Sequence, residues 1–206
     1  MNPRFQELPE EKQLAILNAA MEVFAKYDYP KASTHLIAAK AGVSKGRLFY
    51  YFHNKKDLYF AVYRYAWKTV TQAVVDEELW KITDFYELLH DSAMKKMAVL
   101  SRHPYIMDFS IRSYFSEKEE VSEGLKQVNA QGVDDIFETY FSGVDLTKFK
   151  ADVDPRRVYN MLIWMMDGYL HAWRMQGTPL DVEKMQHEFL QWITILKNST
   201  YREEYV

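Results

Sequence analysis

A single glycine between two short apolar stretches sets the tightest limit on what this chain can fold into. Gly42 follows Leu36, Ile37, Ala38 and Ala41, which together supply one face of a helix. Beyond it, Leu48 and Phe52 stand four residues apart and face inward together. A glycine at that point can take positive φ and end the first helix. Thr34 can cap the start of that helix, and Ser44 can cap the next, Lys45 to Phe52. Val43 then plugs the space between the two. The pattern predicts two short helices meeting at a tight turn.

The charge pattern gives this turn a purpose. Between Tyr29 and Lys56 there is no Asp or Glu, while Lys31, Lys40, Lys45, Arg47, Lys55 and Lys56 all fall in the segment. With Leu48 and Phe52 inward, Lys45, Arg47, Phe49, Tyr50 and Tyr51 are left to face outward in part. Cations among aromatics make a poor solvated surface and a good one against phosphates and base edges. A helix pair with a glycine turn and a cationic, aromatic second helix suits a DNA major groove. Structural helical hairpins share the shape, and charge alone divides evenly between a solvated face and a DNA face. The ordered run of motifs decides for DNA.

That run resembles the DNA-binding domain of the TetR family of bacterial transcription regulators. The matching features are Phe24, Thr34, Ile37-Ala38, Ala41-Gly42-Val43-Ser44, Gly46, Phe49-Tyr50-Tyr51-Phe52, Asn54-Lys55 and Leu58, over roughly residues 10 to 62. The resemblance implies that Thr34 and His35 touch the DNA backbone, and that Lys45, Gly46 and Arg47, following the capping Ser44, approach base edges. It implies that Tyr50, Tyr51 and Lys55 hold phosphates. Phe49 stands where the family usually has tyrosine, which replaces a hydroxyl by an apolar contact such as a thymine methyl.

Charge also divides the chain. Residues 1–56 carry nine Lys and Arg against five Asp and Glu, a balance of +4; residues 57–206 carry 17 against 24, a balance of −7. Only the first part suits a polyanion. The expected domains are therefore a helix-turn-helix unit over 1–56 and a helical ligand-binding and dimerisation domain over 57–206. With 48% hydrophobic residues the chain can build cores for both, and with no cysteine it has neither disulfides nor thiolate metal sites. The N-terminus has no apolar signal region and no apolar run approaches a membrane span, so no membrane partner is expected and the cytoplasm is the expected compartment.

The periodicity predicts an all-α protein. Helices are expected over residues 10 to 27, over the two halves of the turn motif, and from Lys55 to about Val75, with residues 3 to 9 as a short arm. The first three form a homeodomain-like unit. Further helices are expected from Thr83 or Asp84 to Arg102, near Tyr105 to Tyr114, from Ser116 to Phe141, from Pro155 to Gln176, and from Asp181 to Lys197. Ser142 to Asp154 reads as a loop.

The last two helices, about 155–176 and 181–198, are apolar on more than one face. The chain's own core covers one face and a second copy can cover the other, giving a homodimer that the resemblance also implies. Two recognition helices one DNA turn apart would read a near-palindromic operator. A small hydrophobic or amphipathic effector fits among the helices of the second domain. Candidate walls there are Tyr65, Phe85, Leu89, Met107, Phe137, Tyr140 and Trp164, although such stripes also build ordinary core. Asp167, His171 and Arg174 lie three or four apart on an otherwise apolar helix. They can orient a polar ligand group, cross the dimer interface, or form a surface salt-bridge line. No zinc spacing, phosphate loop, catalytic constellation or cofactor motif stands out, so neither an enzyme nor a cofactor is expected. The functional expectation is a transcription regulator, a repressor released by its ligand. An activator binds DNA alike, and a helical protein-interaction module is the other alternative.

Overall fold

The computed structural model describes residues 3–115, 120–124, 133–178 and 180–206. Among the described residues all regular structure is helical apart from an isolated antiparallel bridge between Phe149 and Tyr201. No described helix is long and apolar enough to cross a membrane. The chain forms two compact units, one of residues 1–73 and 99–133, the other of residues 74–98 and 134–206.

The first unit holds α1 (Pro3–Gln6), α2 (Glu10–Lys26), α3 (Thr34–Lys40), α4 (Lys45–Tyr51) and α5 (Lys55–Val74). After α6 (Phe85–Arg102), whose first residues belong to the second unit, α7 (Pro104–Tyr114) returns to the first and packs on α2. The apolar stripe of α2 is buried as its spacing requires, with Ile16 and Ala20 fully enclosed and Phe24 nearly so. Phe24 meets the ring of Tyr59 edge-on at 4.9 Å, and Tyr59 lies 5.1 Å from Phe109 of α7. The Tyr59 hydroxyl, which would cost free energy if buried alone, pairs with Ser113 at 2.7 Å. Arg112 donates to the carbonyl of Ala25 at the end of α2 and pairs with Asp28. A cation there suits the negative end of the helix dipole.

Three expectations change here. Residues 3 to 9 are not a loose arm, because Pro3–Gln6 is helical and Phe5 is fully buried. The cap of α3 is Ser33, whose Oγ accepts from the Leu36 backbone at 3.4 Å, and Thr34 is the first helical residue. The helical spacing on α5 predicts a buried stripe of Leu58, Val62, Tyr65, Ala66, Thr69 and Ala73, but Tyr65, Thr69 and Ala73 are only half-buried, and Tyr59 and Ala61 are buried instead.

The second unit is built by α8 (Val133–Tyr140), α9 (Pro155–Gln176) and α10 (Val182–Thr200) with the start of α6. Asp84 caps α6 by accepting from the backbones of Tyr86 and Glu87. Asp154 and Asp181 cap α9 and α10 in the same way, and Gly177 ends α9 with φ of 67°. An aromatic cluster fills the core. Phe85 stacks on Phe141 at 4.6 Å, and Tyr201 meets Phe149 edge-on at 4.9 Å. The Tyr201 hydroxyl accepts from the Phe85 backbone, and burial pushes this phenol well above its ordinary pKa. The stretch read as a loop over 142–154 contains a 3-10 turn (Leu146–Lys148) and then pairs with the tail after α10. Lys150 donates to Thr200 and Arg202 to Lys148. Helix α10 runs to Thr200, past the expected end near Lys197. The expected helix start at Ser116 lies outside the described residues.

Candidate nucleic-acid interface

The α3–turn–α4 segment is defined by its caps. Gly42 has φ of 65°, and its neighbour Val43 donates back to Ala38 at 3.0 Å, satisfying a carbonyl at the end of α3. A Cβ on Gly42 would meet nothing within 4 Å, so the backbone angle is what selects glycine here. Ser44 then accepts from the Arg47 backbone at 3.1 Å and starts α4. Leu48 and Phe52 are buried, as their spacing requires, and anchor α4.

This anchoring leaves one side of the motif open. His35, Ser44, Lys45, Gly46, Arg47 and Tyr50 are exposed, and Thr34 and Phe49 are half-buried. Lys45 Nζ lies 3.2 Å from His35 Nε2. The ammonium can only donate, so in this contact the ring nitrogen is the acceptor. Lys45 also sits 5.9 Å over the Phe49 ring. Gly46 is helical, and a Cβ there would meet nothing within 4 Å. The fold itself therefore gives no reason for glycine at this position.

Two of the expected DNA contacts also have partners within the protein. Tyr51 is buried, packing edge-on against Phe5 at 6.2 Å. Lys55 donates to the carbonyls of Tyr29 and Pro30 and lies 4.6 Å over the Tyr29 ring. It clamps the connection between α2 and α3. In exchange, the structure supplies a residue that sequence reasoning missed. Phe5 packs on Phe52 at 4.8 Å, and this docking holds the Arg4 guanidinium 4.6 Å over the exposed Tyr50 ring. The missed signal was an apolar residue beside a cation in a segment too short to show periodicity. A cavity of about 530 Å³ lies beside this arm, lined in part by Arg4, Phe52, His53 and Arg64.

Glu22 fixes α3 to α2 from the other side. Its carboxylate receives Lys26 at 2.8 Å and Lys40 at 3.0 Å, and these two ammonium groups hold its pKa down at about 2.

The residues expected around an effector are dispersed. Tyr65 and Met107 belong to the first unit and are half-buried. Phe85, Leu89 and Phe137 are core of the second unit, which fits a packing role rather than an open wall. Tyr140 is half-buried, with its hydroxyl paired to Ser92. Trp164 is 64% exposed and so lines no enclosed space in the single chain. Asp167 is half-buried and His171 and Arg174 are exposed, and all three have interaction partners. Among the described residues no group of three His, Cys, Asp or Glu is placed to hold a metal ion.

Comparison with known proteins converges on one family. Residues 16–62 match the family model for bacterial regulatory proteins, tetR family. The fatty acid metabolism regulator protein of Bacillus subtilis (strain 168) is 24% identical over 193 residues, covering 87% of this chain and 92% of the relative. Among solved structures, SmeT, the repressor of the Stenotrophomonas maltophilia multidrug efflux pump SmeDEF, superposes with a TM-score of 0.71 at 18% identity, covering 96% of this chain and 95% of that one. FadR from Bacillus subtilis, solved in complex with stearoyl-CoA, superposes with a TM-score of 0.66 at 19% identity, covering 87% and 96%. At these identities the structural likeness speaks for the fold alone.

Proposed function

From the premise that the chain belongs to the tetR family of bacterial regulatory proteins, we propose that it is a dimeric, ligand-responsive transcription regulator, a repressor that leaves its operator when an effector binds. The observation that carries this reading is the open side of the turn motif. His35, Ser44, Lys45, Gly46, Arg47 and Tyr50 form an exposed surface within a segment that contains no carboxylate. In the groove, Lys45 and Arg47 face base edges. Gly46 lets the backbone approach closely, and Tyr50 with Arg4 meets phosphates. Thr34, His35 and Phe49 complete the contact. Tyr51 and Lys55 act behind it by fixing the helices. The protein works by binding, without chemistry or cofactor, in the cytoplasm. Residues 1–56 are the DNA-reading part and 57–206 the part that dimerises and senses.

The dimer forms through α9 and α10. Met161 and Trp164 are exposed on α9, and Ile195 is 62% exposed on α10. Gly168 falls on the same side of α9 as Met161 and Trp164, with nothing within 4 Å of its would-be Cβ. A mid-helix glycine costs about 0.5–1 kcal/mol relative to alanine, which a close helix–helix approach across the two-fold offsets.

FadR from Bacillus subtilis was solved in complex with stearoyl-CoA, which agrees with a largely hydrophobic effector here. Its influence on DNA affinity can be no larger than its own preference between the two arrangements of the dimer. Selection of bound sites from random duplexes tests the proposal. The expected product is a near-palindrome whose half-sites lie one helical turn, roughly 34–36 Å, apart. Absence of any enriched sequence would count against it.

A further inference from the structure

The cavity of about 530 Å³ beside the N-terminal arm lies wholly within the first unit, against the first half of α5. Sites for small ligands are clefts of about 300–1,000 Å³ with apolar walls and a few polar groups. The walls here are Phe52, Phe60 and Ala61. Phe52 and Ala61 are buried, and Phe60 is half-buried. Two of the walls are fixed by their own packing. Phe5 lies 4.8 Å from the Phe52 ring, and a Cβ on Gly124 would come within 2.5 Å of the Phe60 ring. The chain's own packing thus shapes the cleft.

The mouth of the cleft is cationic. Arg4 from the arm, His53 from the connection between α4 and α5, and Arg64 from α5 all line it and are exposed. Both guanidinium groups stay charged at any ordinary pH. Against them the lining sets one carboxylate, Asp57, so the cleft is left net positive. Arg64 makes no hydrogen bond or ion pair among the described residues. Two planar donor forks beside aromatic walls select a flat ring that carries an oxyanion. The forks receive carboxylate or phosphate oxygens in pairs, and the walls receive the ring. A DNA backbone suits the cleft less well. Its outer face is sugar and phosphate, with nothing to lay on Phe52 and Phe60.

We infer that this cleft is a ligand site in the reading unit itself, separate from the effector site proposed in the second domain, and that it takes a small aromatic carboxylate or aryl phosphate. The oxyanion bridges Arg4 and Arg64, and the ring lies between Phe52 and Phe60. Bound there, the ligand draws the Arg4 guanidinium from its place over Tyr50, where the proposed DNA interface uses it. DNA binding weakens by a route that does not pass through the second unit. That last step rests on the regulator reading, whereas the binding itself does not.

Three probes substituted at the same ring position test the inference: naphthoate, naphthyl phosphate and naphthalenemethanol, titrated calorimetrically into the full-length protein without DNA. Wild type should bind at least one of the anions about tenfold or more tightly than the alcohol, the gain expected from one charge-assisted contact, and the favoured head group separates carboxylate from phosphate. Arg64→Met should lose that preference, yet melt like wild type and bind an operator duplex as wild type does. Arg64→Lys should keep part of it. Saturating anion should lower wild-type duplex affinity to about that of Arg4→Ala, and should not lower the affinity of Arg4→Ala further. The inference is overturned if wild type binds none of the three or prefers the alcohol. It is overturned if the preference survives Arg64→Met, which would put the anion in the second unit, or if bound anion leaves duplex affinity unchanged. It is overturned equally if Arg64→Met flattens the salt dependence of duplex binding, which would seat a DNA phosphate in the cleft. A protein that binds no duplex at all would sink the regulator reading, while the calorimetry would still decide the site.

Discussion

Replacing Phe5 by alanine should uncouple the N-terminal arm from the reading helix. The ring is fully buried and touches Tyr51 at 6.2 Å and Phe52 at 4.8 Å between centroids. Buried Phe-to-Ala changes cost about 3–5 kcal/mol. A four-residue terminal helix can undock instead of leaving a rigid cavity, so the lower end applies, about 3 kcal/mol. For a chain of this size each kcal/mol moves the melting midpoint by about 2–4 °C, which gives a fall of about 6–12 °C. DNA affinity should fall about tenfold as well, because Arg4 leaves its place 4.6 Å over Tyr50. Circular dichroism melts and fluorescence anisotropy on an operator duplex read the two effects. Arg4→Ala is the control, expected to melt like wild type yet bind all duplexes more weakly. A Phe5→Ala protein that melts within about 1 °C of wild type would refute the view that this arm is a docked structural element.

Three further outcomes follow from the geometry. Gly46→Ala should raise stability by about 0.5–1 kcal/mol, since a Cβ meets nothing in the protein, yet weaken operator binding; a variant that binds as well as wild type removes Gly46 from the interface. Glu22→Gln should lose about 1 kcal/mol at pH 7, a figure kept small because the pair is partly solvated. The folded-state pKa of Glu22, about 2, lies below its ordinary value, so its contribution is complete above about pH 5 and disappears as the pH falls toward 2; urea melts of wild type and variant should converge there. Trp164→Glu should convert the dimer to monomer in light scattering, and a variant that stays dimeric would move the interface away from α9.

The sequence was most readable where one residue type has one physical use. Gly42, Ser44, Asp181 and Gly177 mark helix ends through φ or a side-chain acceptor, and each stands at such an end. Ser33 and Thr34 both carry a hydroxyl, and sequence alone does not say which precedes the first helical turn. The burial of Tyr51, expected to face outward in part, was not legible because an aromatic on a short helix can face either way, and Phe5, which packs on it, lies 46 positions earlier in the chain. The reach of Lys55 to the carbonyls of Tyr29 and Pro30 was not legible either, since those residues lie some 25 positions earlier in the chain. The bridge between Phe149 and Tyr201 joins segments 52 residues apart and leaves no local pattern.

The most direct test of the central claim, that α4 enters a DNA major groove and meets phosphates around it, is operator affinity measured across a salt series. Each neutralised phosphate contributes a slope of about −0.9 in log affinity against log salt, and two half-sites double the count. Wild type should give a steeply negative slope. Arg47→Ala should lose preference for the selected sequence with little change in slope, and Arg4→Ala should keep the preference and flatten the slope. A flat slope for wild type, or identical behaviour of the two variants, would contradict the account.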